Sequence, residues 1–378
     1  MRHRILALSL ALLLVVGSAL PALAVADLAA ALDYLRTQQN ADGGFGSGFG
    51  PGSTVGSTAD AVAAIVAAGG DPATFEQGGN STLDYLAANA AAVDNAGDLA
   101  KLIMAAVAAG QNPRTFGNTD SVARLEAMAG SDGRYATAND TFVSHLLAVL
   151  ALASVRRPIS DAAVDQIVQA QQENGGWAWD GSEATPADTN STALAVQALA
   201  AAGQAGSEAV AAALDYYRAI QNEDGGWPYQ SPSDFGTATD ANSTAVSIQA
   251  LIAAGEDQAA WESSGGVTPA ANLEAFQNES GAFAWQAAMP DDNLLATVQA
   301  IPALAGKAFP MTTMDVGQAS AASVAATATP TPASTVSPEA PSTVPETGGA
   351  GLDPALLLSI TGLGLAAAGY ALRLRRRK

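Results

Sequence analysis

Four segments of this chain share one pattern: a helix-forming stretch ending in Gln and other polar residues, then a glycine turn, then an aromatic side chain. They are Gln39-Asn40-Ala41-Asp42-Gly43-Gly44-Phe45, Gln172-Glu173-Asn174-Gly175-Gly176-Trp177, Gln221-Asn222-Glu223-Asp224-Gly225-Gly226-Trp227 and Gln277-Asn278-Glu279-Ser280-Gly281-Ala282-Phe283. Two further copies are degenerate: Leu83-Asp84-Tyr85-Leu86 lacks the turn, and Leu125 leads to Asp132-Gly133-Arg134-Tyr135. Such self-similarity marks a repeat architecture, in which one unit cannot bury its apolar face alone and neighbours must cover it. Glycine supplies the positive φ at the end of the helix, and the aromatic ring fills the crevice between units.

Each unit continues into a second, Ala-rich helix. These run over Ser57 to Gly69, Asp98 to Gly110, Thr141 to Ser154, Asn190 to Gly203, Asn242 to Gly255 and Asp292 to Gly306. They are apolar nearly all round and therefore belong to a buried layer, whereas the first helices mix charge with apolar positions and suit an outer layer. Six outer-inner hairpins arranged in a ring satisfy both patterns, because a ring leaves no unprotected end repeat. The expected fold is all-α, an alpha-alpha toroid of six helical hairpins. On these repeats the chain resembles the terpenoid cyclases and protein prenyltransferases from about Asp27 to Lys307.

The inner helices begin with polar residues: Asp188-Thr189-Asn190-Ser191-Thr192-Ala193, Asp240-Ala241-Asn242-Ser243-Thr244-Ala245 and Asp291-Asp292-Asn293. Such residues ahead of an apolar run cap the free N–H groups of the first turn. Because the inner helices run the same way, their caps and dipoles converge on one mouth of the ring. The candidate ligand contacts are Asp188, Asn190, Asp240, Asn242, Asp292 and Asn293, with Gln197, Gln249 and Gln299 further inside.

In the squalene-hopene type cyclases this resemblance implies a DxDD proton donor at the start of an inner helix. Here the corresponding stretch, Ala187-Asp188-Thr189-Asn190, keeps one Asp, and Asn cannot serve as an acid. Aromatic residues, at 6% of the chain, are largely used by the turns, so little remains for a cation-stabilising lining. Prenyltransferases hold catalytic zinc through Asp, Cys and His, and this chain has no Cys. His145 stands in the apolar run Phe142 to Leu150 and reads as a packing residue. No metal and no cofactor are expected. The Trp177-Ala178-Trp179 and Trp227-Pro228-Tyr229 clusters read as packing rather than as sugar platforms.

The closing segment, Asp292 to Lys307, resembles the last helix of the alpha domain of transcobalamin and intrinsic factor, which implies kinship with binding toroids. Together these observations favour a non-catalytic, ligand-binding module over an enzyme. Its expected ligand is a small molecule held at one mouth: corrinoid-like, terpenoid or glycan. A structural or adhesive surface protein is the alternative, and a terpene cyclase-like or polysaccharide-active enzyme is the further one.

The ends bear on location. Residues 1–24 have a basic start, an apolar run and small residues at Ala22 and Ala24, as a cleaved export signal does. The folded domain spans 25–317, and a Pro/Thr/Ala-rich stalk spans 318–343. Val344-Pro345-Glu346-Thr347-Gly348 resembles the LPXTG sorting signal with Val at its first position, which implies a sortase as partner. It opens the segment 344–378, with an apolar span over 355–372 and a basic tail. The expected location is the outer face of the cell, anchored to membrane or wall. With 36 acidic against 16 basic residues and a net charge of -20, nucleic acid is excluded as a partner. A monomer is expected, its core sufficient without disulfides.

Overall fold

A computed structural model of the chain describes residues 26–47, 52–234 and 236–317. The export signal, the stalk, the sorting-like segment and the apolar span 355–372 lie outside the described residues. Among the described residues no helix is long and apolar enough to cross a membrane.

Among the described residues twelve α-helices alternate between the two layers. The outer ones are α1 (Leu28–Gln38), α3 (Thr82–Asn89), α5 (Ser121–Glu126), α7 (Asp161–Gln169), α9 (Glu208–Ile220) and α11 (Pro269–Glu274). The inner ones are α2 (Val55–Ala67), α4 (Ala96–Ala108), α6 (Phe142–Ser154), α8 (Thr189–Ala201), α10 (Ala241–Ala254) and α12 (Leu294–Leu304). Inner helices pack in the cyclic order α2, α4, α6, α8, α10, α12 and back to α2, so the barrel closes on itself. The chain is an alpha-alpha toroid. Among the described residues three short antiparallel ribbons decorate the connections, one of them pairing Phe283–Gln286 with Met289–Asn293 ahead of α12.

The repeat motif has a specific mechanical role. In four units a glutamine amide, from Gln39, Gln171, Gln221 or Gln277, donates both to a carbonyl of its own turn and to a carbonyl of the next unit. In the second of these units the bridging residue is Gln171, one position before the Gln172 that the sequence alignment selects. Gln277 closes the ring: its amide donates to the Asp27 carbonyl at 2.8 Å and accepts from the Asp27 N–H at 2.7 Å, across 250 residues of sequence. The turn glycines Gly43, Gly175, Gly225 and Gly281 all have φ between +85° and +90°.

The aromatic residue after the turn is locked to its inner helix. The N–H groups of Phe45, Trp177, Trp227 and Phe283 donate to the hydroxyls of Thr58, Thr192, Thr244 and Thr297. Trp177 and Trp227 are fully buried, and their indole N–H groups donate to the Ile167 and Tyr217 carbonyls, so both are packing residues. In the third unit Tyr135 donates instead to His145 Nδ1, while His145 Nε2 lies 2.9 Å from the Ala163 carbonyl. His145 thus takes the place that Thr occupies elsewhere, with Nε2 protonated and Nδ1 accepting.

The second mouth of the barrel, at the C-termini of the inner helices, is crossed by residues 307–317. Phe309 N–H donates to Gln197 Oε1 on α8, Met314 N–H donates to the Ser154 carbonyl on α6, and Arg156 donates to Thr313 Oγ1. The segment leaves α12 and ends against α6, which stands opposite it in the ring. It forms a strap over that mouth.

Candidate functional site

The inner helices start together at the first mouth, with Thr54, Asn95, Thr141, Asp188, Asp240 and Asn293 as N-caps. Counting six residues inward from each cap gives Asp60, Lys101, Leu147, Leu194, Val246 and Gln299, and all six line one cavity. A second level adds Ala63, Met104, Gln197, Gln249 and Pro302, and Phe309 of the strap reaches the same space. The site is therefore built from equivalent positions of a repeated helix, each turned toward the ring axis by the same register. Water centres can occupy about 50 Å³ of the cavity. That is room for a few waters, and a larger ligand enters only if side chains of the wall move apart.

The wall is mostly aliphatic, and its charge is confined to one side. Lys101 Nζ on α4 lies 2.7 Å from Asp60 Oδ2 on the adjacent α2. Burial raises the Asp60 carboxyl above its ordinary range, partly offset by the Lys101 ammonium. Burial works against the charge on Lys101, but the Asp60 carboxyl, and Asp98 beside it, outweigh that and hold its pKa above the usual value. Opposite α2 and α4 in the ring stand α8 and α10, which carry Gln197 and Gln249, while α12, between α10 and α2, carries Gln299. The cavity is thus polarised: an acid and an ammonium on one wall, two amides on the wall opposite, a third amide on the helix next to the acid, and apolar side chains over the rest.

The predicted contacts divide into two sets. Gln197, Gln249 and Gln299 line the cavity. Asp188 and Asp240 are N-caps, 1% and 2% exposed, and each accepts from the N–H and hydroxyl of the Ser three residues on. Burial pushes both carboxyls up to about 7 against the lowering effect of those bonds. Asn190 and Asn242 are buried in the first turns, and Asn242 donates to Gln299 Oε1 at 2.9 Å. In the last unit the cap is Asn293, while Asp292, in the ribbon, accepts from Asn278 and Ser280 of the repeat turn. Asn293 is the counterpart of Asp188, since the Thr297 hydroxyl donates to its carbonyl as the Thr192 hydroxyl does to that of Asp188, and Asp292 therefore falls one residue ahead of the cap, in the ribbon.

Sequence reasoning missed Asp60 and Lys101. A signal was present, because each is a charged residue past the first turn of a helix that is mostly apolar, and such a charge must meet a partner or a cavity. Among the described residues no group of His, Cys, Asp and Glu is placed to hold a metal ion.

The geometry agrees with what the chain is similar to. Residues 1–141 match the prenyltransferase alpha-alpha toroid domain, and residues 130–237 match the squalene-hopene cyclase C-terminal domain. Curated proteins give no match. A variant of the type II terpene cyclase MstE from Scytonema, in complex with its substrate geranylgeranyl dihydroxybenzoate, is 14% identical with a TM-score of 0.51, covering 74% of this chain and 95% of that one. Another variant of the same cyclase, in complex with its product merosterolic acid A, is 15% identical with the same TM-score and the same coverage. A protein from Actinoplanes is 17% identical with a TM-score of 0.51, covering 74% of this chain and 97% of that one. The expectation of a non-catalytic, corrinoid-like binding module is corrected by these findings. The matching toroids include enzymes of terpene cyclisation seen with substrate and with product, and the matched domain families are those of cyclases and prenyltransferases.

Proposed function

We propose that this toroid is a terpene cyclase-like enzyme that takes an isoprenoid into its central cavity and begins the reaction by protonating a carbon–carbon double bond. The observation that carries the reading is the ring of six equivalent positions, aliphatic on three helices and holding a single carboxyl, Asp60, that burial keeps protonated to higher pH than usual. An apolar wall suits a prenyl chain, and an acid within it suits proton transfer to carbon.

Asp60 gives its proton to one alkene carbon, the π electron pair forms the new C–H bond, and the cation develops on the more substituted carbon. The carboxylate left behind is stabilised by the Lys101 ammonium at 2.7 Å, which strengthens the acid as the proton leaves. Attack by a neighbouring double bond closes a ring and moves the cation to a new carbon. Loss of a proton from the carbon beside it returns the proton to Asp60. The net reaction is an isomerisation and needs no co-reactant. Among the described residues Phe309 is the one aromatic side chain of the cavity wall, so cation–π support is small and a short reaction is expected. The export signal over 1–24 and the sorting-like segment 344–348, read from sequence, support an extracellular site of action tethered through 355–372.

Incubation of the intact protein with geraniol, farnesol and geranylgeraniol in deuterated water, followed by mass spectrometry of the products, tests this. An isomer carrying one deuterium at a new C–H bond is expected, reduced about 100-fold or more in Asp60→Asn. Recovery of unlabelled starting alcohol alone in every case would overturn the reading.

A further inference from the structure

Three glutamines line the cavity wall, Gln299 about one turn nearer the first mouth than Gln197 and Gln249, and their side-chain oxygens differ in one respect. Gln197 Oε1 accepts from the Phe309 N–H at 2.8 Å, and Gln299 Oε1 accepts from Asn242 Nδ2 at 2.9 Å. Gln249 Oε1 has no partner among the described residues, although the side chain is 2% exposed and lines the cavity. Its orientation is fixed by the other end of the amide, because Nε2 faces the Gln299 carbonyl at 3.4 Å and a flipped amide would set two oxygens against each other. A buried acceptor left unsatisfied is costly, so a ligand that brings a donor to it gains more than the bond alone would give in water. The same acceptor rejects an analogue that lacks the donor.

Gln249 stands on α10, which the ring order sets opposite α4 and its Lys101. We infer that Gln249 is a specificity-determining residue whose Oε1 accepts a hydrogen bond from a hydroxyl on the substrate, so that the enzyme takes an isoprenoid alcohol or phenol rather than a hydrocarbon or an ether. This rests on the isoprenoid reading of the cavity. With the hydroxyl held at the glutamine wall, the chain extends across the aliphatic layer formed by Leu147, Leu194 and Val246 and presents its far double bond to Asp60. The hydroxyl end is thereby kept away from the acid, and the direction of the substrate in the ring is set before protonation.

Titration calorimetry of the intact protein with geraniol and with geranyl methyl ether tests the inference, since the two differ in the donor and share the prenyl chain. Geraniol should bind about tenfold or more tightly than the ether, as one hydrogen bond to a buried acceptor implies. In Gln249→Met, nearly isosteric and lacking the acceptor, the preference should fall to within about twofold while the ether binds as before. Gln249→Leu provides the same comparison if the Met variant does not fold. Equal binding of alcohol and ether to the native protein, or a preference that survives both substitutions, would overturn the hydroxyl subsite and leave the isoprenoid reading standing. Failure of both compounds to bind the native protein would overturn the two together.

Discussion

His145 shows how one side chain can be read for structure and then tested by pH. Its ring replaces the Thr hydroxyl of the other units, accepting from the Tyr135 N–H and facing the Ala163 carbonyl. Burial pulls its pKa down to about 4 from 6.5. The unfolded chain therefore binds a proton that the folded one refuses between these values, and stability falls as pH drops from 6.5 to 4, by about 3 kcal/mol in full. Asp188 and Asp240 act in the opposite sense. Raised to about 7, they hold protons more tightly in the folded state, so the stability they contribute is complete below about pH 4 and is lost as pH rises through 7. Urea unfolding between pH 4 and 7.5 separates the two. His145→Ala should abolish the acid-side loss, and Asp188→Asn should reduce the decline toward neutral pH; unchanged profiles in both would refute these assignments.

At the scale of the element, the repeat turn and the seam between units can be broken separately. Gly175 has φ +86°, and a Cβ there would meet the Ala212 carbonyl oxygen at 2.2 Å. Gly175→Ala should cost about 3 kcal/mol, from backbone strain together with displacement of α9, seen as a lower urea midpoint with an unchanged slope. Gln277→Ala removes the hydrogen bonds that join the last unit to Asp27. A loss of about 1–3 kcal/mol is expected, with amide exchange quickened first along α1 and α11. α6 also departs from its siblings. The other inner helices end on a glycine of positive φ, whereas the residue after α6 that adopts it, at φ 54°, is Arg156, whose guanidinium is bonded to Thr313 in the strap. Arg156→Gly would relieve that backbone while freeing the strap, so thermal stability should change by less than about 1 kcal/mol while the strap exchanges faster.

For the whole molecule, ring closure and the strap determine what the cavity can hold. A chain ending at Gly306 keeps α1 to α12 but loses the cover over the second mouth, including Phe309 against Gln197. It should still unfold in one transition, at a lower temperature, and should admit longer isoprenoids than the full chain does. Thermal scans and binding of geraniol against geranylgeraniol check this. Identical chain-length preference in the two proteins would show that the strap does not limit the cavity.

The toroid itself was legible in the sequence because its physics is local. Glycines such as Gly175 and Gly225, the aromatics beside them and capping residues such as Asp188 and Asp240 act within one hairpin, and the repetition of that hairpin implies a closed ring. Even the cavity glutamines could be found, since Gln197 and Gln249 recur at the same distance from their caps. The chemistry was not legible in this way. Asp60 and Lys101 lie 41 residues apart in sequence, on helices that share no hairpin, and only the packing of one unit against the next sets them side by side on one wall. Likewise the free oxygen of Gln249 differs from those of its repeat mates only because a strap arriving from α12 occupies Gln197 and a neighbouring helix occupies Gln299. Local sequence determined the unit and its repetition. Tertiary structure decided which equivalent positions were left with a charge or an unpaired acceptor facing the cavity, because burial and partner geometry exist only once the units have packed together and the strap has crossed them.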